Sequence, residues 1–138
     1  MRQVPNWLDY FMIIAQAVAI RSKDPITQVG CVIADSDNHI VGTGYNGFEP
    51  GAAETVEMWQ RPTKYEHVKH AEANALEHLT VESWGMKMFS TMYPCARCAA
   101  LIARHEIKEV YYLDDKYRNP ESEAIFKDAA IKVTKLTK

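Results

Sequence analysis

Cysteine is scarce in this sequence. There are 3 in 138 residues, an odd number and too few for a disulfide framework. No apolar run approaches the roughly 18 residues that a membrane-crossing helix needs, and the polar opening MRQVPNW is not a secretory signal. An excess of either charge is also missing. The net charge is −2 and the pI 6.2, so no basic field draws nucleic acid or an anionic membrane surface. Internal repeats and low-complexity tracts are absent as well. Apolar residues make up 47% and charged residues 25%, the balance of a chain that buries an ordinary core. The expectation is one cytoplasmic domain over 1–138, either an enzyme or a binding module, with neither nucleic acid nor membrane as partner.

What is present organises itself by periodicity. The segment VPNWLDYFMIIAQAVAIRSKDP predicts a first helix, opened by Pro5 and Asn6 and stopped by RSKD and Pro25. Trp7, Phe11, Ile14 and Val18 form one stripe and Tyr10, Ile13, Ala17 and Ile20 another, so this helix is expected to be covered on more than one side, as at a subunit interface. TQVGCVIAD and HIVGTGYNG read as two strands joined through SDN. Residues 47–65 form the one long connection, of a length more often found at a functional rim than as filler. Helix 66–80, strand 86–92, helix 95–105, strand 108–113, helix 120–130 and strand 131–136 follow. Two strands and then alternating helices and strands predict an α/β fold with a mixed five-stranded sheet and helices on both faces. In such sheets, sites gather at the carboxyl ends of strands and the amino ends of the helices that follow.

Two short motifs fall at those places. In YPCARC, Cys95 and Cys98 stand three apart at a helix start, on one side of the helix, where the positive helix end favours the metal-binding thiolate form. In KHAEANAL, His70 opens another helix with Glu72 two residues on. Two thiolates and an imidazole suit zinc, and three protein ligands leave a fourth position open, as in catalytic rather than structural sites. A carboxylate at Glu72 is then near enough to carry a proton between water and a leaving group. Two other readings use the same residues: a closed structural site completed by His67, and a redox dithiol beside an unrelated histidine. Cys31, within the apolar run VGCVIA, reads as a buried free thiol, and His39, His78 and His105 as solvated or supporting residues.

HAE followed by PCARC is the H-x-E…P-C-x-x-C pattern of zinc-dependent nucleobase deaminases. RSKDPITQVG (21–30), VGTGYNGFEPG (41–51), HAEANAL with Asn74, and IKEVYYLDDKYR extend the likeness from about residue 6 to 136. Over that span the chain resembles the deoxycytidylate deaminases, within the zinc-dependent cytidine/deoxycytidylate deaminase family. The resemblance implies a cytidine-deaminase-like three-layer αβα sandwich. It also implies zinc-dependent hydrolysis of dCMP to dUMP and ammonia, a step that feeds thymidylate synthesis. His70, Cys95 and Cys98 are implied as zinc ligands and Glu72 as the general acid/base. Asn46 would meet the sugar and the Ala71 N–H the pyrimidine carbonyl, while Thr27 and Tyr117 would line the pocket and Arg118 would meet the 5′-phosphate. Family likeness further implies a homohexamer activated by dCTP and inhibited by dTTP, with Mg²⁺ accompanying the triphosphate, and Arg21, Ser22 and Lys23 as effector contacts.

The stretch GYNGFEPGAAET departs from the pattern usual in that family. Its proline is one place later and an acidic pair is missing, which bears on the loop and on effector binding by it. Rival readings are a deaminase of cytidine, guanine or tRNA adenosine, and a non-catalytic zinc-stabilised module.

Overall fold

The computed structural model describes residues 1–48 and 68–137. Most of the long connection, His67 and the loop from residue 49 onward therefore lie outside the described residues. The elements run α1 (Trp7–Ala19), β1 (Gly30–Ala34), β2 (Ile40–Tyr45), α2 (Ala71–Glu77), β3 (Lys87–Met92), α3 (Ala96–Arg104), β4 (Glu109–Asp114), α4 (Pro120–Asp128) and β5 (Lys132–Lys135). The order matches the sequence expectation throughout. The second helix is shorter than its expected 66–80 in its described part, because it starts only after His70 and ends at His78.

Local chemistry accounts for the boundaries. Asn6 caps α1 by accepting the Asp9 N–H at 2.8 Å, and Asn119 caps α4 by accepting the Ser122 N–H at 2.8 Å, with Pro120 pre-set at the first helical position. Between β1 and β2, Asp35 Oδ1 accepts the N–H groups of Asp37 and His39, both at 2.9 Å, and Asn38 takes φ 62°. This is a side-chain-built turn of the kind the SDN signal announces.

The five strands form one sheet in the order β2-β1-β3-β4-β5. β1 is antiparallel to both neighbours, while β3, β4 and β5 are parallel. Period-two alternation splits the strand side chains between two apolar cores. Val32, Ala34, Phe89, Tyr111 and Leu113 pack under α1 with Phe11, Met12 and Ala15. Cys31, Ile33, Met88, Val110 and Tyr112 face the other three helices, with Ala75, Ile102 and Phe126 among their partners. The result is a three-layer αβα sandwich with one helix on one face and three on the other. On the α1 side, Phe11, Phe89 and Tyr111 form a column of rings with centroids 5.2 and 5.0 Å apart.

The first expected stripe faces the sheet through Phe11, Ile14 and Val18, joined there by Met12 and two alanines. Phe11, Met12, Ala15 and Ala19 are buried, Ile14 and Val18 only partly, and Trp7 is 55% exposed. The small residues set this rotation, because β1 comes so close to α1 at Gly30 that a Cβ there would overlap backbone at Ala15 and Ala19. The second expected stripe does lie outside: Tyr10, Ile13 and Ile20 are exposed.

The same kind of close approach seats the helix that matters for chemistry. A Cβ at Gly44 of β2 would overlap the Ala71 carbonyl oxygen and the Ala75 amide nitrogen of α2. Gly47 and Lys69 exchange backbone hydrogen bonds at 3.0 and 2.8 Å, and Asn74 Nδ2 donates to the Tyr45 carbonyl at 2.8 Å. Together these pin the start of α2 to the end of β2. Gly44→Ala should therefore destabilise the fold by about 1–3 kcal/mol, as overpacking does, and weaken metal retention. Gly47→Ala, where no described residue lies nearer than 3.6 Å, should do neither. Thermal unfolding and metal content of the two variants check this.

Candidate active site

β2, β3, β4 and β5 run the same way and β1 the opposite way, so the carboxyl ends of four strands and the amino end of β1 share one edge of the sheet. A cavity of about 340 Å³ opens there, within the usual range for small-molecule sites. Thr27, Val29, Asn46, Met92, Tyr93 and Tyr117 contribute to its wall, and His70, Ala71, Glu72 and Cys95 to its floor.

His70 is the N-cap of α2 and Cys95 the N-cap of α3; both have extended backbone, and neither side chain caps its own helix. The side chains turn toward one another instead. His70 Nδ1 lies 3.4 Å from Cys95 Sγ and 3.3 Å from Cys98 Sγ. The three ligand-type atoms all fall within 4.8 Å of one another, the one such group among the described residues. Tetrahedral zinc, with bonds of about 2.3 Å to sulfur and about 2.0–2.1 Å to nitrogen, holds those two atom types roughly 3.5 Å apart. The spacing and the donor set fit zinc.

Electrostatics favour the same assignment. The Cys98 thiol, followed by the contact with His70, lowers the Cys95 pKa to about 3 although burial opposes it. Cys98 is pushed far the other way by sharing its proton with Cys95, by burial and by the Glu72 charge. His70 is raised above its ordinary value, chiefly by Cys95, with burial opposing and Glu72 assisting. The metal-free cluster thus has one thiolate and retains a proton on the second thiol. Cys31, next to the site in the sheet, is a buried free thiol raised by burial and then by Glu72, in keeping with an inert core position.

Glu72 is 4% exposed, yet it lines the cavity. Its Oε1 accepts a hydrogen bond from Ser90 Oγ at 2.7 Å. Sequence reading passed over Ser90. The available signal was the alternation of β3, which puts a hydroxyl at 90 on the same face as Met88, pointing at the Glu72 helix.

The other expected residues divide. Thr27, Asn46, Ala71 and Tyr117 all line the cavity. Asn46 also ties the wall together: its Oδ1 accepts the Val29 N–H at 2.8 Å and its Nδ2 donates to the Thr27 carbonyl at 2.9 Å. Asp24, unnoticed in the sequence, supports the same turn by accepting the N–H groups of Ile26 and Thr27 at 2.9 and 3.1 Å. Arg118 stands beside the cavity wall rather than in it. It pairs through Nε with Glu123, donates to Tyr112 OH at 3.3 Å and lies over the Tyr93 ring, 5.6 Å from its centroid. Ser22 Oγ donates to the Asn46 carbonyl at 2.9 Å, from a shallow depression beside the cavity, and Arg21 and Lys23 are exposed next to it. His39, His78 and His105 sit away from the cluster: His39 faces Asp35, His78 contacts the Asn74 carbonyl and His105 contacts Ser83.

A Cys₂His cluster with a buried carboxylate at its side, set at two helix starts on the edge of an αβα sandwich, defines a class: the metal-dependent nucleobase deaminases. Comparison with known proteins agrees. The family profile described as cytidine and deoxycytidylate deaminase zinc-binding region matches residues 5–114. The chain is 39% identical to deoxycytidylate deaminase of Mus musculus over 143 residues, covering 96% of this chain and 80% of that one. It is 43% identical to deoxycytidylate deaminase of Homo sapiens over 123 residues, covering 84% and 69%. The crystal structure of dCMP deaminase from the cyanophage S-TIM5, in complex with dCMP and dUMP, superposes with a TM-score of 0.82 at 25% identity, over 98% of this chain and 100% of that one. The chain belongs to the cytidine and deoxycytidylate deaminase family of zinc-binding enzymes.

The cluster's protonation makes a prediction about metal loading. Zinc needs both thiolates and a neutral imidazole, so its binding at pH 7 should release at least about one proton, from the Cys95–Cys98 pair, and part of a second from His70. Affinity should then rise by about tenfold per pH unit for each proton displaced. Calorimetric titration of the apoprotein with zinc, in buffers of different ionisation enthalpy, reads this number directly. A value near zero would mean that both thiols are already ionised.

Proposed function

We propose that this protein hydrolyses dCMP to dUMP and ammonia. The observation that carries the reading is the floor of the cavity, where Glu72 is buried beside the His70, Cys95 and Cys98 cluster and still opens to the cavity. The dCMP and dUMP bound in the cyanophage enzyme, and the deoxycytidylate deaminase names of the mouse and human relatives, support this substrate.

His70, Cys95 and Cys98 hold the zinc, which when bound supplies the Lewis acidity that activates water at neutral pH. Glu72 moves the protons. In the overall reaction, water oxygen bonds to C4 of the cytosine ring and the C4–N bond to the exocyclic amine breaks. One water proton ends on N3 and the other leaves with the amine as ammonia, and both pass over the Glu72 carboxylate. The Ala71 N–H stands at the first position of α2, where a helix cannot satisfy its own donors, and meets the pyrimidine carbonyl. Asn46 meets the sugar, and Thr27 and Tyr117 bracket it. Arg118 reaches the 5′-phosphate by exchanging its Glu123 partner for phosphate oxygens, a geometry that suits a guanidinium fork.

The reading extends to assembly and control. The exposed Trp7, Tyr10, Ile13 and Ile20 on the outer side of α1 support a homo-oligomer, a hexamer by family likeness. dCTP activation and dTTP inhibition, with Mg²⁺ on the triphosphate, would act through Arg21, Ser22 and Lys23. The enzyme works as a single domain in the cytoplasm, where it feeds thymidylate synthesis. Among the described residues, no helix is long and apolar enough to cross a membrane.

Ammonia release tests the proposal. The zinc-loaded protein should turn over dCMP and not deoxycytidine, and dCTP and dTTP should change the rate in opposite directions. Glu72→Gln should keep its zinc and lose at least about 10²-fold in kcat. Zinc-loaded protein that releases no ammonia from dCMP would contradict the reading.

A further inference from the structure

Ser90 is fully buried at the centre of the sheet, on β3 between β1 and β4. Its register partners are Cys31 and Tyr112, and its neighbours two residues away on the same strand face are Met88 and Met92. A hydroxyl in such surroundings costs free energy unless it finds a partner. The partner it finds is Oε1 of Glu72, at 2.7 Å, an O–H···O⁻ bond of ordinary length. The carboxylate is thus held by one oxygen from within the sheet while its accessible edge meets the cavity.

We propose that Ser90 is the positioning residue for Glu72, fixing the carboxylate so that it keeps one place relative to the substrate through both proton transfers. The inference rests on the reading of Glu72 as the proton carrier. A glutamate has three side-chain torsions, and without an anchor the carboxylate can swing about its own helix. Misplacement of a reacting group by about 1 Å can cost on the order of 10²-fold in rate. Ser90 belongs neither to the cavity lining nor to the His70, Cys95 and Cys98 cluster, and the lining residue its hydroxyl bonds is Glu72, so its effect should reach turnover through Glu72.

The test compares wild type, Ser90→Ala, Ser90→Thr and Glu72→Gln as zinc-loaded full chains with dCMP as substrate. Ser90→Ala should lower kcat by about 10- to 100-fold, with KM within about twofold of wild type, unchanged zinc content and a melting temperature lowered by a few degrees at most. Ser90→Thr, which keeps the hydroxyl, should recover most of the lost kcat. Ser90→Ala with wild-type kcat would overturn the inference. So would a Ser90→Ala protein that loses zinc or is unfolded at the assay temperature, or a folded and zinc-loaded Ser90→Thr no better than Ser90→Ala, since either assigns Ser90 to packing. Glu72→Gln tells this failure from a deeper one. If it is inactive, only the role of Ser90 has failed; if it keeps wild-type kcat, the reading of Glu72 falls and this inference with it.

Discussion

Two helix N-caps that decline to cap their own helices govern this molecule. His70 and Cys95 occupy positions where a side chain ordinarily accepts a hydrogen bond from the next turn, yet each leaves its helix uncapped and reaches across the gap to the other. The arrangement gives up local helix stability to bring an imidazole and two sulfurs together, as expected where function overrides local preference. It also points the positive ends of two helices at one spot, where negative ligands are favoured. Every other feature of the site edge serves that meeting. The lack of a side chain at Gly44 lets α2 lie against β2, the Gly47–Lys69 backbone pair fixes where α2 begins, and the buried Pro94 closes the turn from β3 into Cys95.

The charge arrangement explains why the cluster calls for a cation. The Cys95 thiolate, the Cys98 sulfur and the Glu72 carboxylate crowd one small volume, and Cys98 answers by keeping its proton. A divalent ion at the centre reverses that logic by making both thiolates favourable. Glu72 lies outside the ligand set, close enough to interact with Cys98 while Ser90 holds one of its oxygens from the sheet. A carboxylate so placed can exchange protons with a substrate without competing for the metal.

Much of this was legible in the sequence. Hydrophobic period and turn residues gave every described element in order, and the single-residue gap between His70 and Glu72, with the two-residue gap between Cys95 and Cys98, marked the chemistry. What stayed hidden depends on tertiary contact. Ser90 looks like an ordinary strand serine until α2 is laid over the sheet. Asp24 is one of several charges in RSKD until the fold brings the Asn46 amide to its buried carboxylate. Ala15 and Ala19 stood in neither apolar stripe of α1, yet they set how close the helix can come to Gly30. Arg118 was chosen for its chemistry, and only the structure reveals its pairing with Glu123.

The central claim is that one zinc ion sits on His70, Cys95 and Cys98 with a fourth position left to the reaction. Zinc K-edge X-ray absorption of the loaded protein tests it most directly. The account predicts two sulfur neighbours at about 2.3 Å, one imidazole nitrogen at about 2.0–2.1 Å and one light-atom neighbour from outside the chain. Two imidazoles and two sulfurs, the closed set that His67 would complete, or fewer than two sulfurs, would contradict it.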